Sequence, residues 1–387
     1  MTDALPRQAK ALICVRALNQ LGAYTLPFLA VLAPPGQVPL TLATFGLAAL
    51  ASRFAGALLL DGLPPRTVIV LGLAATGTSL LLLSAAEGSV PLLCAVVLVG
   101  LAFEIYEPAT QEALAATTPS AAHGRVYNLL GTSLVAAGAL AGLLAAVLLP
   151  LGVRGLIVAD ALTCFLAAAV AITLLDGTRA RRPVPPGRWR PPRTLLRLTA
   201  AATAFAYGSL AVLMFIPLVL LQRGAPPWLP GLTLTAAALL APLTGHIGRR
   251  IPDGLGHTRI LAVGTVVLGG SAFAMYAVRS LPLTIAAYLT WAAVDSVLQG
   301  RWPAMIAGLA PEPDRPRWFA VHGSSWGVAQ PAVPALAALA GGTAAAALLT
   351  GAAAFLLVPL ALGFHRRDPP EPALDSDTGV NLYPPTP

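Results

Sequence analysis

Seven ionisable side chains stand inside long apolar runs: Arg16, Arg53, Glu104, Glu107, Asp160, Asp295 and Arg301. Charge at membrane depth is expensive unless it meets a partner or a water-filled path, so these seven are the first candidates for work on an ion or a polar solute. Arg16, Asn19 and Gln20 fall at spacings of three and four, as do Glu104, Glu107 and Gln111, and each set therefore shares one helical face. The helices that carry them run in opposite directions. At about 1.5 Å per residue, Arg16 and Glu107 reach a similar depth, and a bond between Arg16 and one of the two glutamates is expected. A carboxylate that keeps its proton when alone and releases it beside Arg16 is what proton coupling requires. A permanent structural ion pair is the alternative for either glutamate.

Later in the chain, Trp291, Asp295, Gln299 and Trp302 recur on one helical stripe, and His322, Ser325, Trp326 and Gln330 form a second polar and aromatic face. Together they could line a site for a flat, partly lipophilic solute. Helix packing or interfacial anchoring is the plainer account of the aromatic rings, whereas a buried carboxylate such as Asp295 needs a reason. Asp160, near one end of its run, reads as a hydrated or hydrogen-bonded cap. Arg53 and Arg301 can snorkel toward the nearer surface.

Other chemistries are poorly served. Lys10 is the only lysine, so no phosphate-binding loop with its lysine is present and energy from ATP is not expected to enter through this chain. The histidines are scattered, no metal-ligand spacing occurs, and no nucleophile motif has matching partners; a non-enzyme without cofactor or metal is expected. Cys14, Cys94 and Cys164 all lie in apolar runs and read as small core side chains.

The elements that must hold these residues follow from composition. Hydrophobic residues make up 57% of the 387 and charged residues 10%, where a water-soluble domain carries about 25% charged. Only helices or closed barrels satisfy the backbone in hydrocarbon, and these runs are too long and too rich in Ala and Leu for barrel strands. An all-α membrane protein is expected, with twelve spans near 9–32, 39–60, 67–86, 90–113, 124–149, 155–175, 194–221, 229–247, 259–278, 282–306, 318–340 and 344–364. The first run is too long for a signal-peptide core and reads as a retained helix.

If both termini are cytoplasmic, the outer loops hold only Arg154, Arg223 and Arg279 of the 24 basic residues. That bias supports the orientation, and it assigns the net charge of +8 to topology, with no nucleic-acid partner. The Arg- and Pro-rich stretch 176–193 reads as a cytoplasmic linker between six-helix bundles at 1–175 and 194–364, and 365–387 as a disordered cytoplasmic tail. The preference for Arg over Lys and the abundance of Ala point to a bacterial plasma membrane.

Sliding one half along the other brings out a repeat at an offset of 192 residues. Asp61, Gly62 and Leu63 fall on Asp253, Gly254 and Leu255, Pro119 on Pro311, Arg125 on Arg317, Gly131 on Gly323 and Ser133 on Ser325. Asp, Arg and Pro are scarce in such chains, so their recurrence in order marks an internal duplication.

At these residues the sequence resembles the major facilitator superfamily. The loop "GALLLDGLPPRTVIVLG" is similar to the family's loop signature at Asp61 and Arg66, with Pro64 and Pro65 departing, and "GHIGRRIPDGLGHTRIL" supplies a second copy with Asp253 and Arg259. The resemblance implies two pseudo-symmetric six-helix bundles. It makes Asp61 a latch on the positive N-terminus of helix 11 and Arg66 a partner for acids near the end of helix 4; a plain helix-end cap is the alternative for Asp61.

Helix 1, "RALNQLGAYTLPFL", and helix 4, "GLAFEIYEPATQEAL", resemble the drug:proton antiporter branch. Val96 stands where that branch commonly has an arginine, and in "GTSLVAAGALAGLL" Gly142 is followed by Leu143 where the branch has proline; Gly138 and Gly142 can also serve close helix packing. The resemblance implies a monomeric secondary transporter working by alternating access. It would exchange protons for a drug-like or secondary-metabolite small molecule, with a proton symporter for a polar nutrient and a non-transporting receptor as alternatives.

Overall fold

The computed structural model describes residues 6–23, 25–117, 123–177, 189–248, 256–299, 301–311 and 314–363. The expected tail, most of the expected linker and the turn bearing Asp253 lie outside these residues, as do the side chains of Arg53 and Asp61.

Every described regular element is helical. The first half comprises α1 (Arg7–Leu21), α2 (Thr25–Leu32), α3 (Val38–Gly62), α4 (Pro65–Ala85), α5 (Ser89–Phe103), α6 (Tyr106–Thr117), α7 (His123–Leu148) and α8 (Val153–Leu174). The second comprises α9 (Arg193–Gln222), α10 (Leu229–Gly248), α11 (His257–Ala277), α12 (Leu281–Gln299), α13 (Arg301–Leu309), α14 (Arg315–Leu339) and α15 (Ala344–Leu362). Local chemistry sets the boundaries. Pro65 opens α4 at a position where its missing N–H costs nothing, and Gly152 (φ 112°) and Gly256 (φ 67°) take backbone angles closed to other residues just before α8 and α11.

Nine stretches among the described residues are long and apolar enough to cross a membrane, one of them running through α5 and α6. The remaining expected spans are the first, which is divided into α1 and α2; α10, whose apolar part is shorter; and α14, which carries a polar stripe. Two expected spans are broken in mid-course among the described residues, at Gly22–Ala23 and at Glu104–Ile105. At the first break Gly22 lies against α8, where a methyl would stand 2.8 Å from the Cα of Asp160. At the second, the backbone N–H of Glu104 leaves the helical ladder and donates to the Ser52 hydroxyl at 3.0 Å.

The 192-residue repeat recurs in three dimensions. Helices begin at 65 and 257, at 89 and 281, and at 123 and 315. The bond between Ser52 and Glu104 has its counterpart in Thr244 and Ser296, whose hydroxyls meet at 2.5 Å. In both halves a hydrogen bond thus ties together two parallel helices at the same level.

Among the described residues the halves meet chiefly through α7 with α10, α3 with α14 and α2 with α9. Small residues make the crossings close: a methyl on Gly231 would lie 2.7 Å from the carbonyl oxygen of Gly142, and one on Gly46 would lie 2.7 Å from the Cα of Pro331. Thr235 reinforces the first crossing by donating to the Ala139 carbonyl at 3.1 Å. These contacts belong to the ends of the helices near residues 38, 148 and 229. At the opposite ends, α6 and α13 pack on helices of their own half.

Two arginines of the expected outer loops close helix ends. Arg154 donates to the carbonyls of Ser84 and Ala86 at 2.6 and 2.7 Å, past the last turn of α4, and Arg223 donates to the carbonyl of Met275 in α11 and to the Thr284 hydroxyl. Because α4 and α11 are equivalent helices, the two halves answer the same orphan carbonyls with arginines from different places.

Candidate functional site

α7, α9, α10 and α12 enclose a cavity of 1220 Å³ between the halves. Small residues on α7, from Gly131 to Ala139, leave the room, and α12 supplies the polar and aromatic wall through Tyr288, Trp291, Asp295, Ser296 and Gln299. These five recur at helical spacing on one face, which a 3.6-residue period dictates. The Tyr288 and Trp291 rings stack at 5.7 Å and 17°. Asp295 accepts hydrogen bonds from the Ser209 hydroxyl of α9 at 3.0 Å and from the Gln299 amide at 3.2 Å. The indole nitrogen of Trp291 is buried without a hydrogen-bond partner among the described residues. A planar solute would meet the edge of a ring stack and a carboxylate along one wall.

A second polar centre occupies the first half. Arg16 of α1 forms an ion pair with Glu107 of α6, its Nη1 lies 3.2 Å from the Tyr106 hydroxyl, and its guanidinium stands 5.4 Å from the Tyr106 ring centroid. Gln111 donates to the other Glu107 oxygen at 3.1 Å. The pair is partly open, with side-chain exposures of 15% for Arg16 and 27% for Glu107, so water can reach the carboxylate. Under the repeat Glu107 corresponds to Gln299, so the two polar centres stand at equivalent stations of the two halves.

Of the residues singled out from sequence, Arg16, Glu107 and Gln111 come together as one cluster, and Trp291, Asp295 and Gln299 line the cavity as one wall. Glu104 sits at the break after α5, held through its backbone by Ser52. Asn19 keeps a buried side-chain oxygen without a partner among the described residues, and the Gln20 amide reaches toward Gly138 of α7. The second aromatic stripe divides. Trp302 packs into the core against Phe205 at 5.6 Å and His322 at 5.7 Å, and Ser325 is buried with its hydroxyl toward the Thr199 carbonyl. Trp326 is half-buried against the same core. Asp160, expected as a hydrated or hydrogen-bonded cap, is buried beside the Gly22 break and accepts from the Cys164 thiol at 3.9 Å.

In the loop signature, Arg66 donates to the Ile172 carbonyl near the end of α8, a helix other than the expected one. Arg259 is exposed near the start of α11. The Asp61 side chain and Asp253 lie outside the description.

Sequence reasoning passed over Tyr288, Ser296, Ser209 and Tyr106. Tyr288 was within reach, since it lies three residues before Trp291 and seven before Asp295 on the stripe already drawn. Ser209 gave no signal, because its relation to Asp295 exists only once α9 packs on α12.

The profile of the Major Facilitator Superfamily matches residues 11–300. No curated protein matches the sequence. Among solved structures the chain is similar to the POT family transporter PepTSo (TM-score 0.76, 12% identity, covering 93% of this chain and 98% of that one). It is similar also to a D-xylose-proton symporter (0.72, 11%, 92% and 97%) and to an inward-facing, unoccupied bacterial homolog of the human lysosomal transporter Spinster (0.67, 14%, 93% and 95%). At these identities the likeness is one of fold.

Proposed function

The chain belongs to the Major Facilitator Superfamily of membrane transporters, and from that premise we propose that it moves a flat, partly lipophilic small molecule by alternating access, in exchange for protons. The observation that carries this reading is the 1220 Å³ cavity between the halves, walled by the Tyr288–Trp291 stack and the Asp295 carboxylate. A site for a sugar or a charged metabolite calls for many polar groups in convergence, whereas this lining is chiefly Ala, Leu and aromatic.

In the expected orientation, with residues 62–65 on the cytoplasmic side, the crossings of Gly142 with Gly231 and of Gly46 with Pro331 seal the outer end and leave the cavity facing inward. Rocking of the halves would undo these crossings and close the ends where α6 and α13 now pack only within their own halves. Glu107 is the coupling carboxylate in this scheme. Both partners belong to the first half, so coupling requires α1 to shift against α6 within that bundle as the halves rock, and Glu107, freed from Arg16, then takes a proton. Asp295 is the second candidate, since it stands at the substrate wall and substrate and proton could compete for it. Protons, the small molecule and the bilayer are the partners, and a bacterial plasma membrane is the proposed location, with both termini inside.

Uptake by symport is the competing direction, favoured by the name of one similar structure, a proton symporter. Proteoliposomes with an imposed proton gradient decide between them when given cationic and neutral dyes, antibiotics and sugars. Gradient-dependent dye or antibiotic movement against the proton flow is expected. Accumulation of sugar along the proton flow would replace the export reading by symport, and binding without flux would replace both by a receptor.

A further inference from the structure

A second concavity lies on the outside of the second half, away from the central cavity. It measures 540 Å³ and runs between α11 and α12 beside Thr244 near the end of α10. Val263 and Val267 of α11 and Val294 and Val297 of α12 wall it, and at Gly264 the two helices close so tightly that a methyl would stand 2.6 Å from Leu298. Among the described residues its lining carries a single charged group, Arg259, in the first turn of α11. Arg259 is exposed and has no hydrogen-bond or ion-pair partner among the described residues.

The other half treats the same region differently. Arg66, in the first turn of the equivalent helix α4, is engaged by the Ile172 carbonyl. The crossing itself is common to both halves, for Gly72, the counterpart of Gly264, closes on Tyr106, the counterpart of Leu298, with the Tyr106 nitrogen 2.9 Å from a built Cβ. A guanidinium left unengaged among the described residues, above an apolar channel, is thus a property of the second half that the repeat does not demand.

In a membrane-spanning chain this groove opens toward hydrocarbon, and its arginine stands where the helix leaves it. We propose that the groove is a binding site for one anionic phospholipid, with an acyl chain laid along Val263 to Val267 and the headgroup phosphate on Arg259. The apolar walls supply affinity for a chain, which small anions lack. The guanidinium matches a phosphate in two-pronged geometry and, with no carboxylate among the described residues of the groove lining to engage an ammonium, favours a headgroup of net negative charge.

Native mass spectrometry of the delipidated protein tests this, with dioleoylphosphatidylglycerol and dioleoylphosphatidylcholine added at equal concentration. The wild type is expected to retain one phosphatidylglycerol in preference to phosphatidylcholine. Arg259→Gln should lower that retention by about fivefold, the effect of one basic group at a membrane surface. Val267→Phe, which fills the channel and leaves the charge, should lower it as well, and thermal melting of both variants should match the wild type. Equal retention of the two lipids, or retention untouched by Arg259→Gln, overturns the proposal. Displacement of the lipid by glycerol phosphate at the same concentration overturns it too, because Arg259 would then be binding a free phosphate with no role for the groove.

Discussion

At the scale of single residues, the Arg16–Glu107 pair illustrates how far spacing reasons and where it stops. Two positions on separate helices were expected to meet because their depth matched, and they do, with Gln111 one turn on completing the carboxylate's partners. Glu107→Gln removes the proton-binding group and keeps the shape. Proton-driven flux should fall more than about tenfold, which corresponds to ~1.4 kcal/mol, while binding of substrate without a gradient persists. Equal flux in wild type and variant, measured in the same vesicles, would reduce the pair to a structural bond. Asp295→Asn retains a hydrogen-bond acceptor for Ser209 but loses the charge. Substrate affinity measured by quenching of Trp291 fluorescence should weaken for cationic ligands and change little for neutral ones; equal weakening of both would remove charge from the role of Asp295. Both side chains were legible as candidates because charge in hydrocarbon is costly, whereas Tyr106 and Ser209, which complete the two sites, carry no such mark in the sequence.

Among elements, α7 and α10 form the contact on which alternation turns. Their backbones approach through Gly142 and Gly231, and no side chain larger than hydrogen fits either place without moving the helices. Gly231→Val should therefore prise the seal open. A cysteine placed at Ala139 on the cavity wall is expected to react with a membrane-impermeant maleimide from the sealed side much faster in that background than in the parent. An unchanged rate would mean that the crossing does not hold the gate. Helix ends make a separate prediction about stability. Arg223 donates to groups of α11 and α12 from the end of α9, and Arg223→Ala should lower the melting temperature in detergent by about 3 °C, as expected for the loss of charge-assisted hydrogen bonds worth ~1–2 kcal/mol. An unaltered transition would show that water replaces the arginine there.

For the whole molecule, the duplication is the organising fact. Helices that begin 192 residues apart, and a bond between parallel helices that recurs at that distance, require the two halves to be related by an axis along the membrane normal. The turns before α4 and α11 must then lie on one face of the membrane. Reporter fusions after Gly62 and after Gly248 should give the same compartment signal, and opposite signals would reject a parallel repeat. The asymmetries matter as much as the repeat. The first half breaks its fourth span at Glu104, beside a charged pair, and the second carries a carboxylate wall on the equivalent span. Each half thus has its own polar centre on a shared frame, which is the arrangement needed if substrate and proton are handled apart.

The sequence by itself determined the solvent, the helical class, the repeat and the charged candidates, because each rests on a cost the chain cannot evade wherever it folds: apolar surface in water, an unsatisfied backbone in lipid, or a charge in hydrocarbon. Tertiary structure alone decided which candidates face a common space. Trp302 and Ser325 belong to the aromatic and polar faces drawn from sequence, yet the packing of α13 and α14 takes them into the core, while Tyr288 and Ser296 join the wall. Helical spacing says which residues share a face; only the packing of one helix on another says what that face meets.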